Sequence, residues 1–91
     1  MGIPPVKQGF GLLRSGNTII YKGMWSNGKF DGKGKLIWNN YCYEGDFKAG
    51  NFSGFGKLEI DNMKYIGKFE MNRANGEGTM EAGSYSISGL W

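Results

Sequence analysis

Apolar and polar residues alternate along this chain with period two, and the alternation itself recurs every 22 residues. Between residues 43 and 48, Tyr43, Gly45 and Phe47 point one way and Glu44, Asp46 and Lys48 the other. After a turn around residues 49–53, Gly54, Gly56, Leu58 and Ile60 share a face opposite Phe55, Lys57 and Glu59. Period-two alternation is the signature of β-strands, whose successive side chains leave opposite faces. Turn-forming residues close each unit, at Gly16-Asn17, Asn39-Asn40, Asp61-Asn62 and Ala82-Gly83. Each unit is therefore a β-hairpin, and such short connections force neighbouring strands to run antiparallel. The pattern predicts eight strands, over residues 8–14, 18–25, 32–38, 41–48, 54–60, 63–70, 76–82 and 85–91, and no helix. The fold class is all-β: a single antiparallel meander of stacked hairpins.

Two motifs keep the beat. An aromatic or Ile residue, then Gly, then Phe or Trp at alternate positions gives Tyr21-Gly23-Trp25, Tyr43-Gly45-Phe47, Tyr65-Gly67-Phe69 and Ile87-Gly89-Trp91. Gly-x-Gly followed by an apolar residue gives Gly32-Gly34-Leu36, Gly54-Gly56-Leu58 and Gly76-Gly78-Met80. An earlier copy, Gly9-Gly11-Leu13, lies 23 residues upstream of its successor, one more than the usual step. Repetition at this period means units stacked on their neighbours. Glycine inside a strand packs nothing and loses much entropy on ordering, so glycines in register need a cover. Aromatic rings of an adjacent strand supply one. The expectation is a ladder of Tyr21, Trp25, Tyr43, Phe47, Tyr65, Phe69 and Trp91, with Leu36, Trp38, Tyr41, Leu58, Ile60, Met63, Met80, Tyr85 and Ile87 filling the same face as core.

These residues resemble MORN repeats (membrane occupation and recognition nexus), whose unit resembles Tyr-x-Gly-x-Trp-x-x-Gly-x-x-x-Gly-x-Gly. Tyr21, Gly23, Trp25, Gly28, Gly32 and Gly34 match every fixed position. The next unit has Phe47 for Trp and keeps Gly50, Gly54 and Gly56; the third keeps Tyr65, Gly67, Phe69, Gly76 and Gly78 but has Asn72 where Gly is usual. The resemblance covers residues 8–91, with half a repeat at 8–20, repeats at 21–42, 43–64 and 65–86, half a repeat at 87–91, and residues 1–7 as an N-terminal extension. It implies an elongated, twisted open sheet, often curved like an opened half-pipe. It also implies an adaptor that places enzymes or cytoskeletal parts at membranes.

Composition narrows the function classes. Ninety-one residues suit one small domain, and a repeat array needs only nearest-neighbour contacts to persist. With 15% aromatic residues the chain is not disordered, and no apolar run approaches the roughly 18–20 residues of a membrane span. Residues 1–5 lack a signal peptide's basic and apolar regions, and Val6 stands where an N-myristoylation pattern wants Ser or Thr. A lone Cys42 excludes an internal disulfide and fits a reducing compartment, so the cytoplasm, at the cytoskeleton or membrane periphery, is the expected location.

The chemistry of catalysis is thin. There is no His, the commonest general base and metal ligand. Cys42 has no imidazole to activate it and cannot alone hold zinc. Glu44 with Asp46, and Glu77 with Glu81, lie on solvated strand faces, as charged residues that keep sheets soluble do. The Gly-x-Gly elements open no helix and so fail the test for a dinucleotide loop. No enzyme activity, metal, cofactor or small-molecule substrate is expected.

Function then falls to surfaces. Parity puts Phe10, Leu12, Ile20, Met24, Ile37, Cys42, Phe55 and Ile66 on the second sheet face, rather apolar for a solvated one. Such a patch marks a partner site, unless the segment Ile3-Pro4-Pro5-Val6 folds across it. The strands at 8–14 and 85–91 leave sheet edges open to pairing or self-association. Residues 1–48 carry seven basic and three acidic side chains, against four and five in residues 49–91. Lys22, Lys29, Lys33 and Lys35 make the basic patch, where anionic lipid would gain about 1 kcal/mol per lysine. That excess is too small, and the aromatics too committed to packing, for nucleic acid. The expected function is a non-catalytic scaffold or adaptor acting by protein–protein contact. The alternatives are a module for anionic membrane surfaces and the targeting segment of a larger enzyme.

Overall fold

The computed structural model describes residues 5–91. Its eight strands are β1 (Gly9–Ser15), β2 (Thr18–Ser26), β3 (Lys29–Trp38), β4 (Tyr41–Lys48), β5 (Asn51–Ile60), β6 (Met63–Glu70), β7 (Arg73–Ala82) and β8 (Tyr85–Leu90). They form one open antiparallel sheet in sequence order, with no helix among the described residues. The molecule measures 56 × 28 × 15 Å, the thickness of a single sheet with its side chains.

Strands β3, β5 and β7 begin three residues earlier than the alternation predicts, at Lys29, Asn51 and Arg73. The cause is the turns. Asn27-Gly28 (φ 52° and 77°), Ala49-Gly50 (49° and 87°) and Met71-Asn72 (50° and 69°) are left-handed at both central residues. Two-residue turns of this kind match the right-handed twist of the strands they join. Asn72, the departure from the repeat motif, holds the left-handed conformation that Gly28 and Gly50 adopt, as Asn does at modest cost.

One glycine from every strand falls on a line across the sheet. Gly11 pairs with Gly23, Gly23 with Gly34, Gly34 with Gly45, Gly45 with Gly56, Gly56 with Gly67, Gly67 with Gly78 and Gly78 with Gly89. Tyr21, Tyr43 and Tyr65 bend over this row. A Cβ on Gly34, Gly56 or Gly78 would strike the hydroxyl and ring of the tyrosine on the preceding strand.

The other glycine of each Gly-x-Gly pair does not share that face, contrary to the strict alternation. Three residues of β3 (31–33) face one of β2 (Met24), and the same bulge recurs opposite Asp46 and Lys68. Gly32, Gly54 and Gly76 sit in these bulges with φ of 96°, 65° and 103°, and their missing Cβ atoms aim at Met24, Asp46 and Lys68 on the second face. A bulge needs such backbone, which glycine adopts without strain.

The buried core is Tyr21, Tyr43, Phe47, Tyr65 and Phe69, against which Trp25, Phe30, Leu36, Phe52, Leu58, Ala74 and Met80 pack. It is narrower than the sequence implies. Trp38, Met63, Tyr85, Ile87 and Trp91 remain exposed, because a single sheet has no second layer to cover the hairpin ends and outer strands. The extra residue of the first unit is absorbed at Ile20: Leu13 pairs with Tyr21 and Arg14 with Ile19, leaving Ile20 in a bulge.

Candidate interaction surfaces

The ring face is built for packing. The hydroxyls of the three repeat tyrosines each donate to a carbonyl three residues on in their own strand, Tyr21 to Met24 (2.8 Å), Tyr43 to Asp46 (2.7 Å) and Tyr65 to Lys68 (3.2 Å). Burial, reinforced by the charges of Asp31 and Asp46, pushes the Tyr21 and Tyr43 phenols up to about 12. Burial also raises Tyr65. Phenols held this way are structural groups rather than proton carriers near neutral pH.

The second face is a shallow trough. Its floor is the backbone of the glycine row, and its walls are the residues on either side of each glycine. At the β1–β4 end, Phe10, Lys22, Lys33, Lys35 and Glu44 surround Gly23, Gly34 and Gly45. Lys22 stands directly opposite Lys35. Lys33 reaches Asp46, with Nζ 2.7 Å from Oδ1, while Asp46 Oδ2 accepts the Phe55 N–H of the β5 bulge at 3.2 Å. The Lys33 hydrogen bond is the largest influence holding the Asp46 carboxyl below its usual range; burial works the other way, and the Phe55 N–H adds to the lowering. Lys29 pairs with Ser26 beside the turn and does not join the other three.

The apolar residues of this face fall into groups. Phe10 sits opposite Met24, with Leu12 next to it, opposite Lys22. Phe55 and Ile66 flank a second depression over Gly67, Gly78 and Gly89, together with Leu90, which is 81% exposed and was not marked by the alternation. Ile37 pairs with the half-buried Cys42 toward the β3–β4 turn, and Ile20 is half-buried in its bulge. Val6 sits beside Gly28, and Lys7 beside Gly11 and Trp25 on the ring side. The Lys7 carbonyl accepts the Gly28 N–H at 3.0 Å. Residues 6–8 thus follow the β2–β3 turn; Ile3 and Pro4, invoked as a cover for the second face, lie outside the described residues. Among the described residues, no three His, Cys, Asp or Glu side chains cluster as a metal site would require.

The family model for the MORN repeat matches residues 21–42, 43–62 and 65–86. The chain belongs to the MORN-repeat family. No curated protein matches it significantly. MORN repeats are non-catalytic modules of protein and membrane association, met in membrane and cytoskeletal contexts.

The MORN repeats of this chain differ at one packing position, which lies directly after each hairpin turn. Phe30 stacks flat on Tyr21 (ring centroids 3.8 Å, 7° between planes) and Phe52 on Tyr43 (3.9 Å, 5°). Ala74 holds the equivalent place, pairing with Phe69 as Phe30 pairs with Trp25 and Phe52 with Phe47. The signal was present: positions 30, 52 and 74 keep the 22-residue step. A second difference concerns Trp25, whose buried indole N–H has no partner among the described residues, whereas Trp91 donates to the Gly78 carbonyl at 3.0 Å.

Proposed function

We propose that this MORN array is a non-catalytic adaptor that binds a partner protein across the face opposite its tyrosines. One observation carries the reading: exposed Phe10, Met24, Phe55 and Ile66 stand on that face among lysines, beside a floor of bare backbone. Apolar side chains on a single open sheet have no internal partner, and exposed patches of this kind mark association sites. Lysines at the β1–β4 end favour a partner whose matching surface is acidic. The free Cys42 is consistent with a reducing compartment such as the cytoplasm.

The test is crosslinking capture from the native cell extract with wild-type protein and with Phe10→Ser, Phe55→Ser and Ile66→Ser variants of unchanged melting temperature. Loss of one specific crosslinked species in those variants, but not with Tyr85→Ser, supports the reading. Equal capture by all of them sinks it.

A second reading, an anionic membrane surface as the ligand, draws on the opposition of Lys22 and Lys35. Like charges facing across a strand pair repel, and neither forms an ion pair among the described residues. Co-sedimentation with phosphatidylserine vesicles, weakened by salt and abolished by Lys22→Glu with Lys35→Glu, selects this reading. Absence of sedimentation removes it.

A further inference from the structure

The third MORN repeat has a gap where the first two carry a ring. Tyr21 and Tyr43 each lie between an edge-on ring and a flat one, the flat one being Phe30 or Phe52. Tyr65 keeps its edge-on neighbours, Phe69 at 5.1 Å and Trp91 at 5.7 Å, but Ala74 presents only a methyl group where the flat ring belongs. A cavity of about 190 Å³ opens beside it, bounded by Leu58, Met63, Tyr65, Phe69, Ala74 and Met80; Tyr65 itself is only 4% exposed, so these walls must part for a ring to stack on it.

We infer that this cavity is an acceptor for one aromatic side chain, Phe or Tyr, presented by a partner protein. The chain itself states what fits. At both equivalent positions the occupant is a phenyl ring stacked parallel to the tyrosine, on the same backbone register and beside the same bulge. Leucine stands at neither. The walls suit a guest that comes and goes: Met63 and Met80 are unbranched thioethers that adjust to an incoming ring and make favourable sulfur–aromatic contacts. Stacking adds to the gain from buried area, enough for an anchor and too little for tight binding alone. This site lies on the ring face, so it stands or falls independently of the second-face reading.

The test uses a short capped peptide, acetyl-Gly-Phe-Gly-amide, titrated into isotopically labelled protein while the Met63, Ala74 and Met80 methyl signals are followed by NMR. The matched Gly-Leu-Gly peptide serves as the comparison. Saturable shifts confined to those methyls, with affinity about tenfold weaker for the Leu peptide, support the site. The Ala74→Phe variant fills the gap from within. It is expected to melt at a higher temperature than wild type and to lose the peptide shifts. No response from the wild type, or an equal response to both peptides, overturns the inference. So does peptide binding that survives Ala74→Phe in a protein with a raised melting temperature. A wild-type dimer that Ala74→Phe converts to monomer also overturns it, in favour of a second copy as the occupant.

Discussion

Tyr43 leans across a strand boundary onto Gly56, so that a Cβ on that glycine would meet the phenol hydroxyl and the ring edge. Gly56 has no positive φ to explain its identity. Its lack of a side chain answers to the ring alone. Gly56→Ala is therefore expected to cost about 1–3 kcal/mol by overpacking, lowering the melting temperature by about 4–8 °C per kcal/mol. Gly16 is the reverse case, with φ of 62° and nothing within 4 Å of its missing Cβ, so Gly16→Ala is strained by backbone only. Repeating both changes in a Tyr43→Leu background separates the causes. The cost of Gly56→Ala should shrink there and that of Gly16→Ala should not.

The raised phenols make stability depend on alkaline pH. Tyr21 and Tyr43 ionise near 12 in the folded protein, against 10.0 for an ordinary tyrosine. Between those values the unfolded chain has lost protons that the folded chain retains, so unfolding becomes easier as pH rises. The stabilisation is complete below pH 10 and is lost progressively from there to about 12. Denaturant midpoints measured across this window should fall, and by less for Tyr43→Phe. A flat profile would show that these phenols are not shielded from water.

How far the sequence spoke depended on what each residue has to do. The 22-residue step gave the strands, their order and the tyrosine ladder, because Tyr21, Tyr43 and Tyr65 occupy a position with one packing solution. It misled at Gly32, Gly54 and Gly76, since alternation cannot see a bulge that turns a residue to the other face. It passed over Phe30 and Phe52, which sit directly after a turn, although they share parity with Gly34 and Leu36 and with Gly56 and Leu58. Lys22, Lys33 and Lys35 were legible as a group, whereas the Lys33–Asp46 pair needed the register of β3 on β4. The gap beside Ala74 shows in the sequence as Ala one step after Phe30 and Phe52, but has meaning only once those rings are seen stacked on the tyrosines.

Asp46 joins two roles that substitution can divide. Its carboxylate pairs with Lys33 and accepts the Phe55 N–H of the bulge. With its folded pKa depressed, its contribution is present above the ordinary carboxyl value of 3.8 and lost as pH falls through the folded value. The Lys33 side chain is 79% exposed, so the ion pair contributes only about 0–1 kcal/mol and fades with salt. Asp46→Asn keeps an acceptor for the bulge and should cost within that range. Asp46→Ala also leaves the Phe55 N–H to water, and the larger loss should persist at high salt. Equal losses for the two variants would remove the bulge from the account.

Trp25 fits its site less well than the residues that replace it in later repeats. The equivalent positions hold Phe47 and Phe69, which are buried and have no polar atom to satisfy. The indole N–H of Trp25 is buried without a partner among the described residues, a penalty of about 1–3 kcal/mol. Trp25→Phe removes that N–H together with part of the ring's apolar area, and the two effects oppose. The edge-on contact with Tyr21, 5.4 Å between centroids, remains available to a phenyl ring. The variant is expected to melt close to wild type, within about 1 kcal/mol, whereas Phe47→Ala should cost about 3–5 kcal/mol. A loss of several kcal/mol for Trp25→Phe would mean that the indole nitrogen is hydrogen-bonded in solution.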